Sequence, residues 1–203
     1  MLANMGLGMR AMMTPLISGP SFDPEAGLAL TVALPQGALD AQLDPYNPVD
    51  VVFATSAVFP SNPVNGVLFE HGGGGIGHTV LLRNGGSVLR VRAGDGASSY
   101  KVNETAILDL TDFPKDDQWH AVVWDVRISA PGRVRLWIDG VFQGEAVTGG
   151  NALESNKWSG GGSGGFATGA NANVSGEVGQ LPWPATVASE LRLYANQLVL
   201  SEG

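Results

Sequence analysis

The sequence predicts an all-β fold: an antiparallel two-sheet β-sandwich preceded by an N-terminal arm that is extended or forms a short helix. Three observations carry the prediction. Short runs of alternating apolar and polar residues follow one another from about residue 27 onward. Connections containing Pro and Gly separate them, and no segment sustains a 3.6-residue period. Many short strands divided by turn signals mark a sandwich or barrel. The 29 glycines and 12 prolines in 203 residues supply the turns, and a 44% hydrophobic content is enough for a core.

Residues 1–24 form the arm, and residues 25–203 the sandwich domain. All five methionines (Met1, Met5, Met9, Met12 and Met13) lie in the arm, and with Leu16 most of them follow the spacing of one helical face. Gly6 and Gly8 each weaken an isolated helix by about 1 kcal/mol relative to Ala, so a helix here needs a surface to pack on. The only charge before Asp23, Arg10, sits mid-segment, and no uninterrupted apolar run of about 7–15 residues follows it, which argues against a signal peptide. Thioether side chains suit adaptable contacts. The arm is therefore expected to dock, on an assembly partner or back on its own domain.

The expected strands are Leu28–Leu34, Val49–Thr55, Gly66–Glu70, Thr79–Arg83, Ser87–Arg92, Ala106–Leu110, Trp119–Arg127, Arg133–Ile138, Val141–Glu145 and Val187–Tyr194. If Ile128–Gly132 is a five-residue loop, Val126 faces Val134, Trp124 faces Leu136 and Val122 faces Ile138 on the core side. Asp125 then meets Arg135, and Val123 meets Trp137, on the other side. A one-residue slip would turn the apolar set outward, so this register is firm. Asp139-Gly140 supplies a two-residue turn with φ > 0, placing Ile138 opposite Val141 and Trp137 opposite Phe142. Asn84-Gly85-Gly86 makes a further hairpin. Between Ala146 and Thr186, Gly, Asn and Ser dominate and the periodicity disappears.

The segments Gly66-Val-Leu-Phe-Glu70, Trp119-His-Ala-Val-Val-Trp124, Val134-Arg-Leu-Trp-Ile-Asp-Gly140 and Glu190-Leu-Arg-Leu-Tyr194 resemble, in that order, the recurring strands of the concanavalin A-like lectin/glucanase superfamily. The likeness is to its laminin-G-like and pentraxin-like branches, and it spans roughly residues 25–200. The resemblance implies a two-sheet jelly roll, often with a glycan or a calcium ion bound at one edge or on the concave face.

Composition removes several function classes. The net charge is −8, with 11 basic and 19 acidic side chains, whereas a nucleic-acid binder needs a positive footprint. A polybasic membrane-surface domain is disfavoured likewise, and no apolar run approaches the ~20 residues that cross a bilayer. Zero Cys removes disulfide scaffolds, thiol catalysis and Cys-ligated zinc. His71-Gly72-Gly73-Gly74 and Gly161-Gly-Ser163-Gly-Gly165 match esterase patterns. A nucleophile elbow, however, needs a strand before the Ser and a helix and His after it, and all three histidines precede Ser163. Gly72-x-Gly74-x-x-Gly77 opens no helix, so it is no dinucleotide site. Glycoside hydrolysis needs two facing carboxyl groups, and no E-x-D-x-E or E-x-D-x-x-E spacing occurs. No catalytic residues are assigned.

Binding residues are expected instead. Sugar C–H faces stack on aromatic rings while hydroxyls need hydrogen bonds, which nominates Trp158 in the Gly-rich loop, Trp137, and Trp183 between two prolines. Asp95, Asp116 and Asp117 sit in turns and are the donors a calcium ion would use. The alternative for Asp116 and Asp117 is that they cap a turn before Trp119. His71 and His78 flank a glycine loop, too few ligands for a zinc site. Low charge content, the Met-rich arm and long Gly/Asn/Ser loops suit a protein embedded in an assembly. The expected function is therefore a non-enzymatic virion-surface structural protein: a capsid decoration, head-fibre or tail-fibre module. Its lectin-like domain would bind glycans, and its arm would join other virion proteins in a homo-oligomer. The alternative is an extracellular bacterial carbohydrate-binding module, with a glycoside hydrolase or polysaccharide lyase third.

Overall fold

A computed structural model describes residues 28–31, 50–73, 76–95, 102–153, 165–167, 178, 181–188 and 190–195. The six arm residues named above and Trp158 lie outside the described residues. Eleven strands are present among them: β1 (Leu28–Thr31), β2 (Asp50–Val58), β3 (Gly66–Gly73), β4 (Ile76–Arg83), β5 (Val88–Asp95), β6 (Ala106–Leu110), β7 (Trp119–Arg127), β8 (Arg133–Ile138), β9 (Val141–Val147), β10 (Gly165–Phe166) and β11 (Glu190–Ala195). They form two antiparallel sheets, ordered β1-β11-β2-β7-β8-β9 and β10-β3-β4-β5-β6. The only helical element among the described residues is the 3-10 turn Val102–Glu104.

The expected central meander is realised pair for pair. Val122 lies opposite Ile138, Trp124 opposite Leu136 and Val126 opposite Val134, with Asp125 against Arg135 and Val123 against Trp137 between them. The Asp139-Gly140 turn takes φ values of 50° and 84°, the left-handed pair that this dipeptide favours. Beyond it, Ile138 pairs with Val141 and Trp137 with Phe142. Asn84, Gly85 and Gly86 likewise all have positive φ between β4 and β5.

Three differences have local causes. β2 runs on to Val58 because its last residues pair with Trp119 and His120 of β7. The glycines after Glu70 do not end β3, since His71, Gly72 and Gly73 continue the ladder against His78, Gly77 and Ile76. The two-residue β10 has no counterpart among the expected strands. It forms where Phe166, fully buried, pairs with Phe69, inside the stretch that lacks periodicity.

The core lies between the sheets. Trp124 is fully buried, stacked on Phe53 at 5.2 Å between ring centroids and tilted against Phe69 at 5.6 Å. Such pairs contribute about 0.5–1.5 kcal/mol beyond burial of their area. His78 belongs to this cluster, its ring 4.8 Å from both Phe53 and Phe69, so its place is the apolar interior. Along its central strands β2, β7 and β8 the six-stranded sheet is buried on its outer face too: Val52, Ala54, Val123, Asp125 and Trp137 point away from the other sheet and are 4% exposed or less.

Candidate functional site

Five connections meet at one end of the sandwich: residues 59–65, 84–87, 111–118, the 139–140 turn and 181–188. Backbone hydrogen bonds tie them together. The Asp117 amide donates to the Phe59 carbonyl at 2.9 Å, and the Val58 amide to the Thr186 carbonyl at 2.8 Å. The Asn65 side-chain oxygen accepts from the amides of Gly85 (2.7 Å) and Gly86 (3.2 Å).

Lys115-Asp116-Asp117-Gln118-Trp119 is a run of five exposed residues here. The two aspartates are turned to different partners. Asp116 accepts from the Gln118 amide at 3.0 Å, the turn-closing role that short carboxylates play. Asp117 takes the left-handed conformation, φ 61°, and its Oδ1 accepts from the Ser61 amide at 2.9 Å. Those hydrogen bonds, from the Ser61 side chain first and then its backbone, hold the Asp117 pKa below the ordinary carboxylate value. Asp116 thus caps the turn before Trp119, and Asp117 ties that turn to the 59–65 loop. Asp95, their proposed companion on calcium, is the last residue of β5 and lies toward the opposite end of the sandwich; its side chain is outside the described residues. Among the described residues no group of three or more His, Asp or Glu side chains is arranged to hold a metal ion.

His120 organises the end from inside. Its Nδ1 lies 2.5 Å from Asp139 Oδ2 and its Nε2 lies 3.0 Å from Asp116 Oδ1. The ring packs edge-on to Phe59 at 5.6 Å. Burial works against a charge on this imidazole, but the hydrogen bonds to Asp116 and Asp139 outweigh it and raise its pKa above 6.5. The hydrogen bond to His120, then that from the Gln118 amide, lowers the Asp116 pKa. Asp139 also accepts from the Ala121 amide through Oδ1 at 2.8 Å, so one carboxylate fixes both the turn and the start of β7.

Trp119 is 38% exposed, whereas Trp124, Trp137 and Trp183 are 0%, 4% and 5% exposed. Trp119 shares the parity of Ala121 and Val123, facing away from the opposite sheet, and stands beside Val58. Of the three expected sugar platforms, Trp158 is outside the described residues and the other two are enclosed. Trp137 packs on Phe142 at 5.4 Å, with the Arg135 guanidinium 5.0 Å from its ring. The Trp183 indole N–H donates to the Val58 carbonyl at 2.9 Å, and its ring meets the edge of Phe59 at 5.4 Å. Neither has a face open to a ligand. Trp119 and Asp139 carry this end, and the sequence reading gave them only strand and turn roles. The available signal was the polar run 115–118, which sets the parity of Trp119 outward and leaves no strand beyond to cover it.

Neither a protein-family profile nor a curated protein sequence matches the chain. Solved structures do. A native heptameric SAP-like pentraxin from Limulus polyphemus superposes with a TM-score of 0.51 at 14% identity, covering 91% of this chain and 76% of that one. The Ruminococcus gnavus IT-sialidase CBM40 gives 0.55 at 11% identity, over 86% and 94% of the two chains. The same CBM40 bound to alpha2,3 sialyllactose gives 0.55 at 12% identity, over 87% and 89%. The fold is a concanavalin A-like jelly roll.

Proposed function

We propose that this chain is a non-catalytic carbohydrate-binding β-sandwich whose sugar site is the loop end around Trp119. The carrying observation is that Trp119 alone among the described tryptophans presents its ring to solvent, on a frame pinned by hydrogen bonds. An open indole gives a pyranose ring a stacking surface, and the exposed Gln118 amide and the Asp116 carboxylate beside it offer hydrogen-bond partners for hydroxyls. Binding groups held on loops by a rigid scaffold are the usual arrangement. The likeness to a fold that carries sialyllactose in the R. gnavus module supports the reading. The non-catalytic reading is supported by the sequence, which lacks the E-x-D-x-E and E-x-D-x-x-E carboxylate spacings of the laminarinase-like branch.

The setting we propose is the virion surface, with residues 1–24 as the anchor, supported by the Met-rich arm and the 15% charge content. Deleting residues 1–24 then abolishes co-assembly and leaves a folded sandwich; unchanged assembly removes this setting in favour of an extracellular module. The sugar site is tested by a glycan array and calorimetry on wild type and Trp119→Ala. Truncating a central aromatic anchor weakens binding at least about tenfold. Equal affinity in the two proteins refutes the site, and no bound sugar in the wild type refutes the function.

A further inference from the structure

Each ring nitrogen of His120 faces a carboxylate oxygen, Asp139 at 2.5 Å and Asp116 at 3.0 Å. An ionised carboxylate only accepts, and a neutral imidazole has one N–H donor and one bare acceptor nitrogen. A neutral His120 can therefore satisfy one of these contacts and opposes the other. An imidazolium donates to both. The geometry points to a proton-operated clamp: His120 in its charged form ties the 111–118 loop to the 139–140 turn and so sets the position of Trp119 and its neighbours. Loss of one proton releases one side of the clamp, and sugar binding at this end falls as pH rises. This inference rests on the reading of the Trp119 end as the sugar site.

Among the described residues, the groups packed around the ring bring it no charges besides the two carboxylates. On the 111–118 loop, the Asp117 carboxylate is committed to the Ser61 amide. Lys115 Nζ lies over the Phe113 ring at 4.3 Å and donates to the Thr111 carbonyl at 3.1 Å. The 139–140 turn contributes Asp139 alone. The aromatic groups packed around this end, Phe59 touching the ring and Trp183 beyond it, are uncharged. The clamp's atoms also bear directly on the site, since Asp116 closes the turn at Gln118, and Trp119 lies between that turn and His120.

Asp139→Asn separates the clamp from ordinary packing. The substituted side chain keeps an oxygen for the Ala121 amide and places an N–H₂ donor against Nδ1. A neutral His120 then bonds on both sides, donating to Asp116 and accepting from the new carboxamide. The test is NMR on the full chain from about pH 5 to about pH 9, bracketing the ordinary His value. It follows the His120 ring carbons and the Trp119 indole N–H, beside calorimetry with whichever array sugar binds the wild type. In the wild type, His120 titrates above the ordinary His value, the Trp119 signal moves with the same midpoint, and affinity falls at least about threefold across it. In Asp139→Asn the Trp119 signal and the affinity lose that pH dependence. A His120 that titrates at or below the ordinary value overturns the clamp, as does a Trp119 signal that ignores His120 or an unchanged pH profile in Asp139→Asn. If the two signals titrate together but no sugar binds at any pH, the clamp stands and the sugar-site reading is what fails.

Discussion

Removing the Asp125 carboxylate should destabilise this fold strongly. Asp125 and Arg135 face each other across β7 and β8 on the side of the sheet away from the core, with side chains only 4% and 6% exposed. Arg135 donates to Asp125 Oδ2 from Nε at 2.9 Å and again from its terminal Nη2. Arg133, 18% exposed, reaches the same oxygen at 3.4 Å. Asp125→Ala leaves the buried Arg135 guanidinium, and the partly exposed Arg133 guanidinium beside it, without the carboxylate that bridges them. Breaking a buried pair from one side costs about 3–5 kcal/mol, about a fifth or more of the ~5–15 kcal/mol that holds a typical domain together. Asp125→Ala/Arg135→Met removes both charges and keeps the aliphatic bulk beside Trp137, so most of the loss should return, since apolar replacements of buried pairs are often close to neutral. Equilibrium urea unfolding reads both variants as midpoint shifts at constant slope. A loss below about 1 kcal/mol in Asp125→Ala, or a double variant no more stable than the single one, refutes the reasoning.

Three further outcomes follow from the same coordinates. A Cβ added at Gly66 would lie 2.6 Å from the Pro182 carbonyl oxygen and 2.6 Å from Pro184 Cδ, so Gly66→Ala should cost about 1–3 kcal/mol in chemical denaturation, as overpacking does. Trp183→Phe keeps the aromatic bulk but deletes the N–H that serves the Val58 carbonyl; leaving a buried acceptor unmet costs about 1–3 kcal/mol, read from the shift of the thermal midpoint. The pH dependence has two limbs. A raised His120 pKa adds stability that is complete below the ordinary 6.5 and is lost as pH rises through the raised value. A lowered Asp116 pKa adds stability that is complete above 3.8 and is lost as pH falls through the lowered value. Thermal midpoints should therefore be highest between these two ordinary values, and His120→Gln should flatten the alkaline limb.

The register of β7, β8 and β9 was legible because alternation and turn chemistry agree. Val122, Trp124 and Val126 can face one core only in one register, and Asp139-Gly140 permits one tight turn. β6, β7 and β8 end where the sequence reading ends them, at residues whose apolar alternation stops against polar or glycine-bearing loops. The extension of β3 through His71-Gly72-Gly73 was not legible, because glycine carries no side-chain pattern and reads as a loop. What continues the strand is backbone pairing with β4. β10 is hidden for the same reason: one buried Phe166 amid glycines has no partner within its own segment, and its partner Phe69 is about a hundred residues away in sequence.

The candidate site was half legible, and the missing half is instructive. Asp116 and Asp117 were singled out for their charge; Asp116 caps the turn before Trp119, and Asp117 joins that turn to the 59–65 loop. Aromatic residues were ranked by loop context, which favoured Trp158, outside the described residues, and nominated Trp183 between two prolines as well. Context in sequence does not say which ring the opposite sheet will cover, and Trp183 became the lid on Phe59. Trp119 gave the opposite impression, as the first residue of a buried strand, yet the position that starts a strand is also the one whose outward neighbour can be missing. His120 sits one residue on with inward parity, so a single step along β7 separates a ring that faces solvent from one that holds two carboxylates. That adjacency is why the clamp is tested at Trp119: a backbone shift at His120 is passed to the neighbouring residue that carries the open indole.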